Sequence, residues 1–196
     1  MTGRMERLRK ALLDFWDRRR NRALSNQPEP DSVSVPPEGV REVLFICTGN
    51  YYRSRFAEAV FNHNAIEAGL AWRAFSRGVA VHLAPNDLSP FTHEALESRG
   101  IDLQMTAPTR LGLMTEDLER AVRRIALKQA EHEAYIKKNF AEWEPHIEYW
   151  HIHDLDAAPP EEALPQVEQA VLKLLRELQR EDFNSRRTGK GSRESS

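Results

Sequence analysis

The chain has 196 residues, with 28 Lys or Arg against 30 Asp or Glu and a formal net charge of −2, a balance that argues against a global field for nucleic acid or a membrane surface. Forty per cent of the residues are apolar, enough for the core of one ordinary domain with flanking segments, and no apolar run approaches the ~18 residues of a bilayer-spanning helix. The only cysteine, Cys47, excludes an internal disulfide and a multi-cysteine zinc site; with no apolar N-terminal stretch to act as a signal peptide, it points to the reducing cytoplasm.

Residues 1–24 read as a basic amphipathic helical segment. Met5, Leu8, Leu12, Phe15 and Trp16 recur at three- and four-residue spacing. Around them stand eight basic residues, from Arg4 to Arg22, and three acidic ones, Glu6, Asp14 and Asp17. Such a helix packs on its own domain or meets an anionic membrane or partner. Residues 25–40, rich in Pro, Ser and Glu, read as a linker. A domain follows over 41–183, and 184–196 reads as a disordered tail.

Within the domain, strands and helices alternate. Val43–Ile46 is a short, wholly apolar strand, and a helix runs from Arg55 to about Gly69. Trp72–Phe75 is a second strand, closed by Ser76, Arg77 and Gly78. Ser89 followed by Pro90 marks a helix start, and that helix stops at Arg99-Gly100. Thr115 opens a short helix, Arg123–Leu127 is a third strand and Gln129–Phe140 a helix. Ile147–Ile152 is a fourth strand, and Glu161–Arg180 a closing helix with Leu164, Val167, Val171, Leu174, Leu175 and Leu178 at helical spacing. This order predicts an α/β three-layer sandwich around a four-stranded parallel sheet. Its active site belongs at the carboxyl ends of the strands, and the loop after the first strand begins at Cys47.

That loop reads Cys47-Thr48-Gly49-Asn50-Tyr51-Tyr52-Arg53-Ser54. Inward-turned backbone N–H groups and the N-terminus of the next helix make an anion cradle. Arg53 supplies a planar fork for two phosphate oxygens. The same positive field favours the Cys47 thiolate as a nucleophile. Gly49 and Asn50 accommodate positive φ, and the Ser54 hydroxyl is placed to steady the thiolate. Thr48, Gly49, Asn50, Tyr51, Tyr52 and Ser54 are therefore the candidate substrate-binding residues around Cys47 and Arg53.

The segment resembles the phosphate loop of the low-molecular-weight protein tyrosine phosphatases. The family pattern is Cys-x-Gly-Asn-x-x-Arg-Ser, then an Ala-Glu-Ala helix; this chain matches at Cys47, Gly49, Asn50, Arg53, Ser54, Ala57, Glu58 and Ala59. Looser matches continue through Ser76 and Gly78 and through Gly100-Ile101-Asp102 to a late Asp loop, over about residues 41–180. The resemblance implies a cysteine-dependent phosphomonoester hydrolase that works through a phosphocysteine, without metal or organic cofactor. It implies a general acid on the loop after the last strand: Asp154, with Asp156 as the alternative. Several positions depart from the pattern. Leu155 and Arg55 stand where the family has proline. Tyr51 and Tyr52 stand where it has an aliphatic residue and a cysteine, so an oxidised Cys47 has no neighbouring thiol. Arg55 is expected to add charge near the loop, and Tyr51 to stack on an aryl phosphate or simply to pack.

Two other readings stand beside this one. A phosphate-loop binding protein with little or no turnover fits the departures at positions 55 and 155. His151 and His153 share one face of a strand in the manner of metal ligands, but further ligands are not evident in the sequence. His82 is expected in an exposed loop, and Trp143, Tyr149 and Trp150 in core and rim packing. The expected partners are a phosphorylated protein or small phosphoester, and oxyanions such as phosphate. Phosphotyrosine, phosphoarginine and a small metabolite all remain open as substrates.

Overall fold

A computed structural model describes residues 37–154 and 158–191, with side chains as far as residue 185. The amphipathic segment of residues 1–24, most of the linker, Asp156 and residues 192–196 lie outside the described residues. Four strands, β1 (Arg41–Cys47), β2 (Trp72–Gly78), β3 (Arg123–Ala126) and β4 (Glu148–Tyr149), form one sheet in the order β2-β1-β3-β4. Every pairing between them is parallel. The helices are α1 (Arg53–Glu67), α2 (Pro90–Glu97), α3 (Thr115–Arg120), α4 (Gln129–Asn139) and α5 (Pro160–Gly191).

Strand β1 sits at the centre and explains the layering. Val43, Leu44, Phe45 and Ile46 are all fully buried, as expected of a strand covered on both faces. Alternate side chains go to opposite sides. Val43, Phe45 and Cys47 join Phe56, Val60 and Phe61 of α1, Leu96 of α2 and Val167, Val171, Leu174 and Leu178 of α5. Leu44 and Ile46 join Leu118 of α3 and Ile136 of α4. The result is the three-layer α/β/α sandwich that the alternation predicts.

Some boundaries differ from the sequence reading. Strand β2 runs on to Gly78, because Ser76 and Arg77 are buried and pair with Phe45 and Ile46. Strand β4 is only two residues long, although the amides of Trp150 and Ile152 still donate to Ala126 and Leu127; His151 turns aside into an antiparallel bridge with Lys128. Helix α5 continues past Asn184 to Gly191, through the stretch read as the start of a disordered tail. That stretch contains no proline, so nothing in it breaks the helical ladder.

From β1 the chain passes by α1 to β2 on one side, and β3 pairs on the other. The carboxyl end of β1 is thus the point where strand order reverses, the usual place for a ligand crevice in an open α/β sheet. Cys47 is the last residue of β1.

Candidate active site

The loop from Cys47 to Arg53 is held by its neighbours. The amides of Val79 and Ala80 donate to the carbonyls of Cys47 and Thr48, and Ser89 donates to the carbonyl of Tyr51. Gly78 lies so close that a Cβ there would stand 2.8 Å from the Asn50 nitrogen, and a Cβ at Gly49 would meet that of Ala84 at 2.6 Å. Asn50 adopts φ +49°, a conformation that costs a non-glycine residue unless other contacts hold it. Here its side chain does the holding. Asn50 Nδ2 donates to Ser76 Oγ at 2.8 Å and to Ser54 Oγ at 3.1 Å, while its Oδ1 accepts from the Leu111 amide at 2.7 Å. Ser76 passes the network on to Glu58 Oε2 at 2.8 Å, which also accepts from Thr106. Asn50, Ser54 and Ser76 are all fully buried.

Cys47 Sγ lies 2.9 Å from Ser54 Oγ. The thiol is buried at the floor of the loop and free of any disulfide. Arg53, the first residue of α1, is 1% exposed. Its Nη1 donates to the Ile152 carbonyl at 2.9 Å, and its Nη2 donates to Glu131 at 2.7 Å and to Asp154 at 2.5 Å. Its Nε is buried and has no partner among the described residues. Burial works against the charge of this guanidinium, yet Cys47, Glu131 and Asp154 outweigh it and hold the group above its ordinary value. A buried cation with one unspent donor beside a thiol has the chemistry to receive an oxyanion.

The third side of the site comes from the first turn of α4. Glu131 Oε2 is 3.4 Å from Thr48 Oγ1, and Lys128 Nζ is 3.0 Å from Glu131 Oε1. Burial pushes the Glu131 carboxyl up, but the bonds from Arg53 and Lys128 prevail and hold it below the usual carboxylate range. His132 is fully buried. Its Nδ1 accepts from the Lys128 amide at 3.2 Å, and its Nε2 stands 3.4 Å from Thr48 Oγ1. Burial and the nearby Arg53 push its pKa down to about 4. The ring is therefore neutral near pH 7, with its proton on Nε2.

The structure brings Cys47, Thr48, Gly49, Asn50, Arg53, Ser54 and Asp154 together. Tyr51 is half-buried beside the loop and packs against the core. Tyr52 is buried, and its hydroxyl is pushed up to about 12 by burial and by Asp154. The expectation for Arg55 is overturned: its guanidinium turns away from the loop and donates to the Ala107 carbonyl and to Thr106. Two helical positions after Arg53 means a turn of about 200° around the axis, so the two arginines face opposite sides. His151 and His153 are exposed, and among the described residues no group of three or more His, Cys, Asp or Glu gathers as a metal site. No helix among the described residues is long and apolar enough to cross a membrane. Glu131, Lys128 and His132 were not singled out in the sequence. The signal for them was their place just past the third strand, where the carboxyl-end rule puts functional groups.

Comparison with known proteins fits this geometry. The sequence model described as "Low molecular weight phosphotyrosine protein phosphatase" matches residues 42–184. Among solved structures, a low molecular weight protein tyrosine phosphatase from T. tengcongensis is 26% identical; the match covers 70% of this chain and 99% of that one, with a TM-score of 0.60. YfkJ from Bacillus subtilis is 24% identical over 72% of this chain and 96% of its own, with a TM-score of 0.65. A YwlE arginine phosphatase mutant with a phosphorylated active-site serine is 25% identical over 74% of this chain and 98% of its own, with a TM-score of 0.59. No curated protein sequence matches. These likenesses support the catalytic reading of the phosphate loop and not that of a binding protein without turnover. With the family matched across residues 42–184, this chain belongs to the low molecular weight phosphotyrosine protein phosphatases.

Proposed function

We propose that this cysteine-dependent phosphatase hydrolyses phosphomonoesters in two steps at Cys47. An oxyanion enters over the loop and takes the free Nε of Arg53 and the loop amides. The Cys47 thiolate attacks phosphorus, and a sulfur–phosphorus bond forms as the phosphorus–oxygen bond to the leaving group breaks. The departing oxygen keeps the bonding electrons and takes a proton from Asp154. Asp154, now a carboxylate, accepts a proton from water as that water attacks the phosphocysteine. Phosphate leaves, and the thiolate returns with the Ser54 hydroxyl as its hydrogen-bond donor. No step calls on a metal or organic cofactor.

The observation that carries this reading is the Cys47–Ser54 contact of 2.9 Å beneath a loop closed by Arg53. The phosphorylated serine in the YwlE mutant supports a covalent step. Tyr51, half-buried beside the loop, supports an aryl phosphate of the phosphotyrosine type as substrate. A cysteine nucleophile that must stay reduced supports the cytoplasm as its compartment. The basic residues between Arg4 and Arg22 support a contact with an acidic partner or lipid surface.

The test is hydrolysis of a generic aryl phosphate at mildly acidic pH, with and without chelator. Cys47→Ser should abolish turnover, and Asp154→Asn should lower kcat by about 10²-fold or more. Wild type no faster than Cys47→Ser would overturn the mechanism, and loss of activity with chelator would assign the turnover to a metal. A phosphotyrosine peptide and a phosphoarginine peptide run side by side decide the substrate class.

A further inference from the structure

Arg53 is held by more carboxylate than the proposed reaction can leave in place. Its Nη2 donates to both Glu131 and Asp154. During phosphoryl transfer Asp154 has to serve the leaving oxygen, and in that position it cannot hold the guanidinium as well. Nη1 is anchored on a backbone carbonyl, and Nε is the donor left for the incoming oxyanion. Glu131 is then the one carboxylate among the described residues still bonded to Arg53.

Glu131 is built for that task. It stands in the first turn of α4, and Ile136 of that helix is fully buried in the core. Its second oxygen meets Lys128 at 3.0 Å. Thr48, in the facing wall of the loop, lies 3.4 Å both from Glu131 Oε2 and from Nε2 of the buried His132. Arg53 and the Cys47–Thr48 end of the loop are thus tied to one rigid element through Glu131. We propose that Glu131 is the positioning residue for Arg53, fixing the guanidinium on α4 while Asp154 attends to the leaving group.

The placement has a consequence for binding. Glu131 holds Arg53 with a full negative charge close to the bound oxyanion, and that charge weakens anion affinity. Geometry and charge can be separated by substitution. Glu131→Gln keeps an acceptor oxygen for Nη2 and drops the charge. Glu131→Ala removes both.

The inference rests on Arg53 as the anion ligand and Asp154 as the acid, and wild-type turnover that vanishes in Cys47→Ser tests that reading separately. Steady-state kinetics on an aryl phosphate and calorimetric titration with inorganic phosphate give the two readouts. Glu131→Gln should keep kcat within about threefold of wild type and bind phosphate about fivefold more tightly. Glu131→Ala should lose kcat by about tenfold or more, because misplacing a reacting-site group by an ångström is that costly. Glu133→Gln, two residues further along α4 and bonded to Gln129 and Lys137, serves as the control. Equal kcat losses in Gln and Ala, with phosphate affinity unchanged, would overturn the inference, as would full kcat in Glu131→Ala. Should Glu131→Ala fail to fold, the near-isosteric Gln variant decides: retained kcat with tighter phosphate binding upholds the inference, and unaltered affinity overturns it.

Discussion

His132 has an imidazole with no solvent exposure and its pKa pushed down to about 4, first by burial and then by the charge of Arg53. In the unfolded chain the same ring titrates near 6.5. Between those two values the unfolded state binds a proton that the folded state refuses, so native stability falls as the pH drops from about 6.5 towards 4. Above about 6.5 the ring is neutral in both states and the penalty is absent. One ring contributes about 1.4 kcal/mol per pH unit inside that window, roughly 3 kcal/mol across it. Denaturant unfolding at several pH values checks this. Carboxylates add their own slope, so the comparison is with His132→Gln, which should lose stability less steeply below pH 6.5. Identical slopes for the two proteins would show that the ring is not the titrating group.

Between elements, the side of the sheet facing α3 carries a buried charge network unrelated to the phosphate loop. Arg77 Nε donates to Asp117 at 2.8 Å, Arg73 donates to Glu42 at 2.8 Å, and Arg120 lies 3.4 Å from both carboxylates. Phe75 is faced by Arg77 at 5.1 Å and by Arg120 at 3.6 Å. Asp117 also accepts from the Met114 amide at 3.1 Å, which caps α3. Asp117→Ala would leave Arg77 buried without its carboxylate beside two further guanidinium groups. The expected cost is about 3–5 kcal/mol, visible as a Tm lowered by about 10 °C or more; a shift of a degree or two would mean that water compensates Arg77. The same scale explains what could be read from the sequence. Cys47 and Arg53 were legible because seven adjacent residues build the cradle, and α1 and α5 because their apolar spacing is dense. Glu131 was not, because its contact with Arg53 exists only once β3 lies beside β1, and sequence order does not specify which strands are neighbours. Arg55 was misplaced for a local reason: adjacency in sequence is not adjacency on a helix surface. The two-residue β4 fell short of its apolar stretch because the chain turns aside at His151 into an antiparallel bridge with Lys128.

At the scale of the molecule, the family match begins at residue 42 and the relatives are covered almost end to end by about seven-tenths of this chain. Residues 1–36 are therefore additional to a unit that in the relatives makes up the whole solved chain. Within the described residues that unit closes on itself at its starting edge. Arg41 pairs with Asp182 of α5, and its guanidinium lies 4.0 Å from the Trp72 ring centroid. The Arg41 amide donates to the Ala71 carbonyl, so within the described residues the first strand has anchors of its own. Removing residues 1–36 should then leave kcat/KM for a small aryl phosphate within about twofold of the full chain, since a domain with its own core folds alone. The same truncation removes the basic residues between Arg4 and Arg22 and should weaken binding to vesicles rich in anionic lipid, measured by co-sedimentation at low and physiological salt. Turnover that collapses on truncation would instead make the segment part of the catalytic fold. Unchanged vesicle binding would show that its basic face does not read an acidic surface.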